Sequence, residues 1–172
     1  MLIRAYRPGE EGALREVFHS SVHQRAKRNY SAEQLDAWAP REYDHDWWSN
    51  RIRGNRPFVA EVEGRIAGYA DLQDSGYIDQ FFVAGGHTGQ GVGSALMRHL
   101  LAEAARRRIG VLFADVSLTA EPFFARHGFV VEARRQVMVR GITLANARMR
   151  CVPADPPVAR SGQYQQNEEN PA

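Results

Sequence analysis

The stretch that decides the fold is VAGGHTGQGVGSALM, residues 83–97, in which five glycines separate an apolar strand from an apolar helix. Glycine lets the backbone approach an anion closely, and Gly89, Gly91 and Gly93 lie where the helix would begin. A helix start offers unpaired N–H donors and the positive end of the helix dipole, and the stretch contains no acidic residue. It is therefore predicted to hold a phosphate-bearing ligand. The alternative is a tight strand-to-helix turn that binds nothing.

Two common nucleotide-binding patterns do not fit these glycines. A dinucleotide fingerprint needs a third glycine at a position where Ser94 or Leu96 stands here. A P-loop ends in Gly-Lys-Ser or Gly-Lys-Thr, whereas Gly91 is followed by Val92 and Gly93. The glycine spacing therefore argues against both kinds of nucleotide site.

Length and composition are those of one globular domain: 172 residues, of which 44% are hydrophobic and 24% charged. The net charge is +2, and because residues 151–172 carry −2, the first 150 residues carry +4. This mild excess suits a small anionic ligand and falls short of a nucleic-acid-binding face. The single Cys151 excludes an internal disulfide and a cysteine-based zinc site. With neither a signal peptide nor a membrane span in the sequence, we expect a cytoplasmic protein without nucleic-acid or membrane partners.

Hydrophobic periodicity predicts an α/β fold of mixed type. It has a central, mostly antiparallel sheet with one βαβ crossover, flanked by helices. The predicted strands are 2–6, 58–62, 66–70, 77–83, 111–116, 129–139 and 142–150, and the predicted helices are 10–27, 31–38, 44–52, 92–108 and 120–126. We expect a domain over residues 1–152 and a disordered or loosely packed tail over 153–172, where little can be buried.

The segment YIDQFFV, followed by HTGQGVGSALM, resembles the acetyl-CoA-binding signature of the Gcn5-related N-acetyltransferases (GNAT). In that family a strand ending in Val leads into Gln/Arg-x-x-Gly-x-Gly/Ala and a helix. Thr88 stands where the family usually has Gln or Arg. Downstream, Ala120 and the pair at 128–129 match the family's Asn-x-x-Ala-x-x-x-Tyr and Gly-Phe positions. The resemblance covers about residues 1–150 and implies the GNAT fold, with acetyl transfer from acetyl-CoA to a primary amine by direct attack.

The same resemblance implies which residues contact the coenzyme. They are Phe81, Phe82 and Val83 on the strand, Thr88, Gly89, Gln90, Gly91, Val92, Gly93 and Ser94 in the turn, and Ser117 and Phe124 downstream. Ser117 stands at the family's Asn position, and Phe124 stands where many members have the Tyr that protonates the departing thiolate. Phenylalanine cannot donate a proton, so the acid would be Ser117, Thr119 or water. A thiol is a tolerable leaving group, so turnover without a strong acid is feasible.

A direct attack also needs a base and an acceptor pocket. A two-residue period places Tyr77, Asp79, Phe81 and Val83 on one strand face, which makes Asp79 the candidate base, acting through water. The alternative is that Asp79 is a structural partner for an arginine. Tyr30, Trp38 and Tyr77 are predicted to contact the acceptor, although aromatic residues at helical spacing are equally typical of a core.

The remaining partners are expected to be few. The acceptor is predicted to be a small-molecule or peptide amine, and a homodimer is possible because dimers are common in the resembled family. We expect no metal, since His19 and His23 lie four apart on a helix but lack an evident third ligand. An acyl-CoA-binding module with weak or no catalytic activity is the alternative function, and it is favoured by Thr88, Ser117 and Phe124.

Overall fold

In the computed structural model, which describes residues 1–153, the chain forms eight strands and five α-helices. They are β1 (Leu2–Ala5), α1 (Glu11–Arg25), α2 (Ala32–Trp38), α3 (His45–Asn55), β2 (Phe58–Val62), β3 (Arg65–Ala70), β4 (Tyr77–Ile78), β5 (Phe81–Val83), α4 (Val92–Arg106), β6 (Leu112–Ser117), α5 (Glu121–Arg126), β7 (Val130–Val139) and β8 (Ile142–Cys151). Short 3-10 turns cover Ala26–Arg28 and Gly85–His87. The predicted mixed α/β class is confirmed.

Local sequence signals set several of the element ends. Ser31 and Gln34 form a capping box at the start of α2: Ser31 Oγ accepts the Gln34 N–H at 3.2 Å, and Gln34 Oε1 accepts the Ser31 N–H at 2.9 Å. Asp44 begins α3 by accepting the Trp47 N–H at 2.9 Å. The hairpin turn at 63–64 has φ values of 50° and 75°, which are typical of a type I′ turn.

The single strand predicted over 77–83 is wrong, because the chain breaks at Asp79 and Gln80 into β4 and β5. The Gln80 N–H donates to the buried Asp71 carboxylate at 2.6 Å, and the Gln80 carbonyl accepts the Asp71 N–H at 3.1 Å. These bonds hold Gln80 beside the end of β3, while β4 pairs with β6. The expected common face of Tyr77, Asp79 and the β5 side chains is therefore lost, since Tyr77 belongs to the other sheet.

The break divides the strands between two four-stranded sheets, with the orders β1-β2-β3-β5 and β4-β6-β8-β7. All neighbours are antiparallel except β4 and β6, which run parallel with Tyr77 opposite Phe113 and Ile78 opposite Ala114. Because α4 lies between these two strands in the chain, the predicted βαβ crossover is confirmed. The pairing ends after Ile78, so the rest of β6 and all of β5 lie on opposite sides of a gap.

Helix α4 joins the two sheets through a common hydrophobic core. Its buried side chains are Val92, Leu96, Met97, Leu100 and Ala104. Gly68 in β3 permits a close approach, since a Cβ at that position would lie 2.9 Å from the Phe82 carbonyl oxygen and 3.1 Å from Leu96 Cδ1. This packing holds the N-terminus of α4 beside β5, at the mouth of the gap between the sheets.

The predicted domain of residues 1–152 and the described part of the chain nearly coincide, and the domain boundary stays a prediction. The predicted tail, residues 153–172, lies outside the described residues except for Pro153. Over residues 1–153 we find no helix that combines the length and the hydrophobicity needed to span a bilayer.

Candidate active site

A cleft with a volume of about 470 Å³ opens where β5 and β6 separate. Helix α1, the turn before α4, the start of α4, and α5 also line it. The structure brings together most of the predicted site residues in this one cleft: Trp38, Asp79, Phe81, Phe82, Val83, Thr88, Gly89, Gly91, Val92, Gly93, Ser94, Ser117, Thr119 and Phe124. Their clustering makes the cleft the candidate active site.

One wall of the cleft is the open edge of β5, which has a strand partner on one side only. The Gln80 carbonyl accepts the Asp71 N–H at 3.1 Å, and the Ala84 N–H donates to β3 at 2.9 Å, so both groups point toward β3. Backbone groups alternate in direction along a strand. The N–H and C=O groups of Phe81 and Val83 therefore point away from β3, where an extended ligand with amide groups can pair with them.

The N-terminus of α4 supplies a cluster of backbone donors. Gly89 and Gly91 have φ values of 77° and 79°, a region that favours glycine. Gly91 is the N-cap and provides no side-chain cap, and the first bond into the helix runs from the Ala95 N–H to the Gly91 carbonyl at 2.9 Å. The N–H groups of residues 92–94 consequently have no partner within the helix. Such donors, together with the positive end of the helix dipole, suit a phosphate.

An aromatic cluster forms the wall opposite β5. Phe124 is buried, with ring centroids 5.5 Å from Phe81 and 5.0 Å from Phe129. The Phe123 ring lies against the start of α4, since a Cβ on Gly93 would be 3.2 Å from it. This wall is apolar and contains no proton donor at the position of Phe124.

Ser117 and Thr119 differ in whether the hydroxyl proton is already engaged. Ser117 Oγ accepts the Ala120 N–H at 3.2 Å, which leaves the serine proton available. Thr119 Oγ1 donates its proton to Asn29 Oδ1 at 2.9 Å. Of the two predicted acid candidates, Ser117 is therefore the better placed to donate to a group bound in the cleft.

Asp79 is held by two side chains of α3. Arg51 donates to both of its carboxylate oxygens, from Nη2 to Oδ1 at 2.8 Å and from Nε to Oδ2 at 3.0 Å. Asn55 Nδ2 adds a third donor to Oδ2 at 2.7 Å. A bidentate pair of this kind is strong and geometrically specific. The geometry favours the structural alternative, since protonation of Asp79 would weaken its pair with Arg51.

Tyr30 does not line the cleft, and its contact with the acceptor stays a prediction. The side chain is buried, and its hydroxyl donates to the Ala145 carbonyl at 2.6 Å while accepting the Leu118 N–H at 2.9 Å. Burial raises the pKa of Tyr30, so the phenol stays protonated and keeps both bonds. Tyr30 thus ties the segment after α1 to the loop after β6, a contact that no short-range pattern reveals.

Tyr77 and Gln90 also fall outside the cleft lining. Tyr77 packs on Phe113 with ring centroids 5.3 Å apart, and its hydroxyl lies 3.4 Å from Asp115, so its contact with the acceptor stays a prediction. The cause of its position is the strand break, which moves Tyr77 into the second sheet. The Gln90 side chain bends back to donate to the Gly86 carbonyl at 3.3 Å.

Trp38 lines the cleft and also packs against the core, and its contact with the acceptor stays a prediction. Its ring lies edge-on to Phe18 and Tyr30, with centroids 6.5 Å and 5.6 Å away. Trp48, in contrast, is a core residue whose indole N–H donates to the Glu11 carbonyl at 2.7 Å.

Sequence reasoning missed four polar residues of the cleft: Ser21, Arg25, Asp115 and Arg126. Helical spacing could have revealed two of them, because Ser21 and Arg25 lie four residues apart and therefore on the same face of α1. Asp115 lies two residues before Ser117 and so shares its strand face. Although burial raises it, the pKa of Asp115 is lowered overall by Arg148 and then Arg135. Arg148 Nε donates to Asp115 at 2.7 Å, so this carboxylate is engaged as well.

The two histidines on α1 contact each other and the backbone. The rings of His19 and His23 stack with centroids 4.2 Å apart, and His23 Nε2 lies 2.8 Å from the Ala39 carbonyl oxygen. Within the described part of the chain, no three His, Cys, Asp or Glu residues are grouped so that they can hold a metal ion.

Comparison with known proteins identifies the family to which this fold and cleft belong. A family model described as an acetyltransferase (GNAT) domain matches residues 26–151. The chain is also 33% identical over 151 residues to the uncharacterized N-acetyltransferase YafP of Escherichia coli strain K12, covering 88% of this chain and 95% of YafP. The chain belongs to the GNAT acetyltransferases, and the resemblance seen in its sequence is confirmed.

Solved structures agree with this assignment. The GCN5-related N-acetyltransferase from Rhodopseudomonas palustris matches with a TM-score of 0.84 and 31% identity, over 88% of this chain and 94% of that one. The PaiA N-acetyltransferase of Thermoplasma acidophilum, solved in complex with coenzyme A, matches with a TM-score of 0.69 and 16% identity, over 88% and 98% of the two chains. At that lower identity the likeness concerns the fold alone.

Proposed function

We propose that the protein transfers the acetyl group of acetyl-CoA to a primary amine of a small molecule or peptide by direct attack. The observation that carries the proposal is that two different sets of backbone donors meet in one cleft. The open edge of β5 suits the amides of a pantetheine chain, and the uncapped start of α4 suits a pyrophosphate. A ligand that carries both groups, one after the other, is coenzyme A.

In this proposal the turn and helix start bind the coenzyme's phosphates. The amides of residues 89–94 face the pyrophosphate, with Thr88 at the entrance to the turn. Phe81 and Val83 contact the pantetheine amides and the acetyl carbonyl through the backbone groups that point away from β3, Phe82 lines the cleft between them, and Phe124 covers the apolar part of the chain. Support comes from the PaiA N-acetyltransferase of Thermoplasma acidophilum, which was solved in complex with coenzyme A.

The reaction forms a C–N bond between the acceptor nitrogen and the acetyl carbon and breaks the C–S bond. A β5 N–H pointing into the cleft would stabilise the carbonyl oxygen as it gains negative charge. Ser117 would donate its hydroxyl proton, or pass on one from water, to the thiolate that leaves. Because Asp79 and Asp115 are both engaged by arginines, we propose that the amine proton leaves to water, with Asp79 acting mainly on the geometry of the strand break.

A non-catalytic acyl-CoA-binding module remains the second candidate. Two observations favour it: Phe124 offers no proton, and both carboxylates that line the cleft already form ion pairs. The two candidates share the coenzyme site and differ only in turnover.

A binding titration followed by a turnover assay tests both candidates. Acetyl-CoA should bind, while NAD and ATP should bind far more weakly, because the glycine spacing fits neither a dinucleotide fingerprint nor a P-loop. Release of free thiol in the presence of amines and peptides would then establish transfer. Tight binding without thiol release across a broad acceptor panel would support the module, and absence of acetyl-CoA binding would overturn both candidates.

Several further properties stay predictions. We propose that the acceptor and acetyl-CoA are the protein's ligands, with no metal and no nucleic-acid partner, and that a homodimer is compatible with the family. A cytoplasmic location is proposed from the single Cys151, which fits a reducing compartment.

A further inference from the structure

An arginine of α1 reaches the turn at the position where the family motif lacks its usual long side chain. Arg25 Nη1 donates to Thr88 Oγ1 across the cleft entrance. The Thr88 hydroxyl in turn donates to the Gly85 carbonyl at 3.1 Å, which fixes the rotamer of this threonine. The contact joins residues 63 positions apart in the chain. The family usually has Gln or Arg at the position of Thr88. Here the Arg25 side chain, from α1, lies next to that position instead.

The end of α1 is held firmly against this turn. A Cβ at Gly85 would lie 1.9 Å from Gln24 Oε1, so the contact requires glycine there. One turn earlier on the helix, Ser20 Oγ lies 3.3 Å from the Gly85 nitrogen and accepts its N–H. Arg25, the last residue of α1, is therefore carried to the turn by packing and not by a flexible tail.

The guanidinium of Arg25 retains most of its donors. Thr88 takes one of its five N–H groups, and within residues 1–153 Arg25 forms no ion pair. Two exposed arginines elsewhere in the chain are already paired, Arg106 with Glu103 and Arg134 with Glu121. Since the turn itself contains no acidic residue, the nearest anion for Arg25 would be a ligand bound at the start of α4.

We propose that Arg25 binds the coenzyme's pyrophosphate directly, in place of the Gln or Arg that the family usually has at position 88, and that Thr88 orients its guanidinium. This inference rests on the proposed function, because it assigns the anion to acetyl-CoA. Arg25 supplies two N–H groups to phosphate oxygens in the forked geometry that guanidinium groups favour. Because Arg25 is the last residue of α1, binding of the coenzyme then also depends on the position of the end of this helix.

The first test compares Arg25→Gln with Arg28→Gln on two acyl donors. Arg28 is exposed, lies in the 3-10 turn after α1 and does not line the cleft, so it is the matched control. For acetyl-CoA, R25Q should raise Kd and lower kcat/KM about tenfold, as expected for loss of a charge-assisted hydrogen bond at a partly exposed site. For acetyl-pantetheine, which has no pyrophosphate, R25Q should change nothing. R28Q should stay within twofold on both donors.

A second test returns the guanidinium to the position the family uses. Thr88→Arg in the R25Q background should regain most of the lost affinity for acetyl-CoA, and the thermal midpoints of all variants should agree. The inference is overturned if R25Q binds acetyl-CoA as tightly as the parent, or if it weakens acetyl-pantetheine equally, since the effect would then lie in the fold. Either of these results leaves the proposed function standing. Failure of the parent protein to bind acetyl-CoA would overturn both the inference about Arg25 and the proposed function.

Discussion

The phenol oxygen of Tyr30 lies 2.9 Å from the backbone nitrogen of Leu118, on a loop that borders the cleft. The same oxygen donates to the Ala145 carbonyl at 2.6 Å, so one hydroxyl joins three segments of the chain. Ser117, at the end of β6, and Thr119 flank Leu118 in the chain and carry the two candidate hydroxyls. The position of the proposed proton donor thus depends on a residue that never touches the ligand.

Removal of this hydroxyl should destabilise the protein. Tyr30→Phe leaves the Leu118 N–H and the Ala145 carbonyl without their partner, which costs about 1–3 kcal/mol of unfolding free energy. Urea denaturation followed by far-UV circular dichroism measures it. Tyr43→Phe is the control, because within residues 1–153 its hydroxyl forms no hydrogen bond, and it should change stability by less than about 0.5 kcal/mol. Equal effects of the two variants would contradict the bridging role.

The two candidate acid hydroxyls, Ser117 and Thr119, should contribute unequally to turnover. Ser117→Ala removes the one of these two whose proton is uncommitted, and we expect kcat to fall roughly ten- to a hundredfold. Thr119→Ala should lower kcat by less than about threefold, because the Thr119 hydroxyl already donates its proton to Asn29. Thiol release at saturating acetyl-CoA and acceptor gives both values. A Thr119→Ala variant with the larger loss would reverse the assignment.

Asp79 and Arg51 should behave as a structural pair. Asp79→Asn and Arg51→Gln each break the same bidentate contact, so both should lower stability and kcat to a similar degree, with pH profiles of unchanged shape. The profiles of kcat against pH for both variants and the parent test this. If Asp79 is the base after all, Asp79→Asn alone will lose more than about a hundredfold in kcat.

Asp71 should make stability depend on pH. Burial raises the pKa of Asp71 to about 6 in the folded protein. In the unfolded chain the pKa of the same carboxyl is about 3.9, the ordinary value for aspartate. The folded state therefore binds this proton more tightly, so its contribution to stability is complete below about pH 4 and is lost as the pH rises through about 6. Asp71→Asn should reduce the fall in unfolding free energy over that window by about 2 kcal/mol.

Urea titrations between these two pH values measure the Asp71 effect. Asp74→Asn, at an exposed carboxylate paired with Arg107, controls for general removal of a negative charge. Parallel curves for Asp71→Asn and the parent would show that Asp71 titrates alike in both states.

Much of the fold follows from local patterns. The capping box at Ser31, the cap at Asp44 and the hairpin turn at 63–64 are set by neighbouring residues, so a reading of short segments finds them. The strand break at Gln80 is different. It depends on the Asp71 carboxylate, nine residues away, which takes the Gln80 N–H. Period-two alternation through YIDQFFV contains no sign of that competing bond.

The site divides in the same way. The glycine turn and the motif around Ala120 placed most cleft residues in advance, because the backbone geometry there is specified locally. Tyr30 and Arg25 could not be assigned, since their partners Leu118 and Thr88 are 88 and 63 positions away. Asp79 was ambiguous for a related reason: only the position of α3 decides whether Arg51 reaches it.

The open edge of β5 also bears on self-association. Exposed strand edges can pair with strands of other molecules, and proteins commonly limit this hazard by keeping such edges short. β5 has three residues, Phe81–Val83, and lies within a cleft between two sheets. It is long enough to hold the two amide groups of one extended ligand and too short and enclosed to template a strand from a second copy. The same brevity that shapes the proposed coenzyme site therefore protects the chain from aggregating through it.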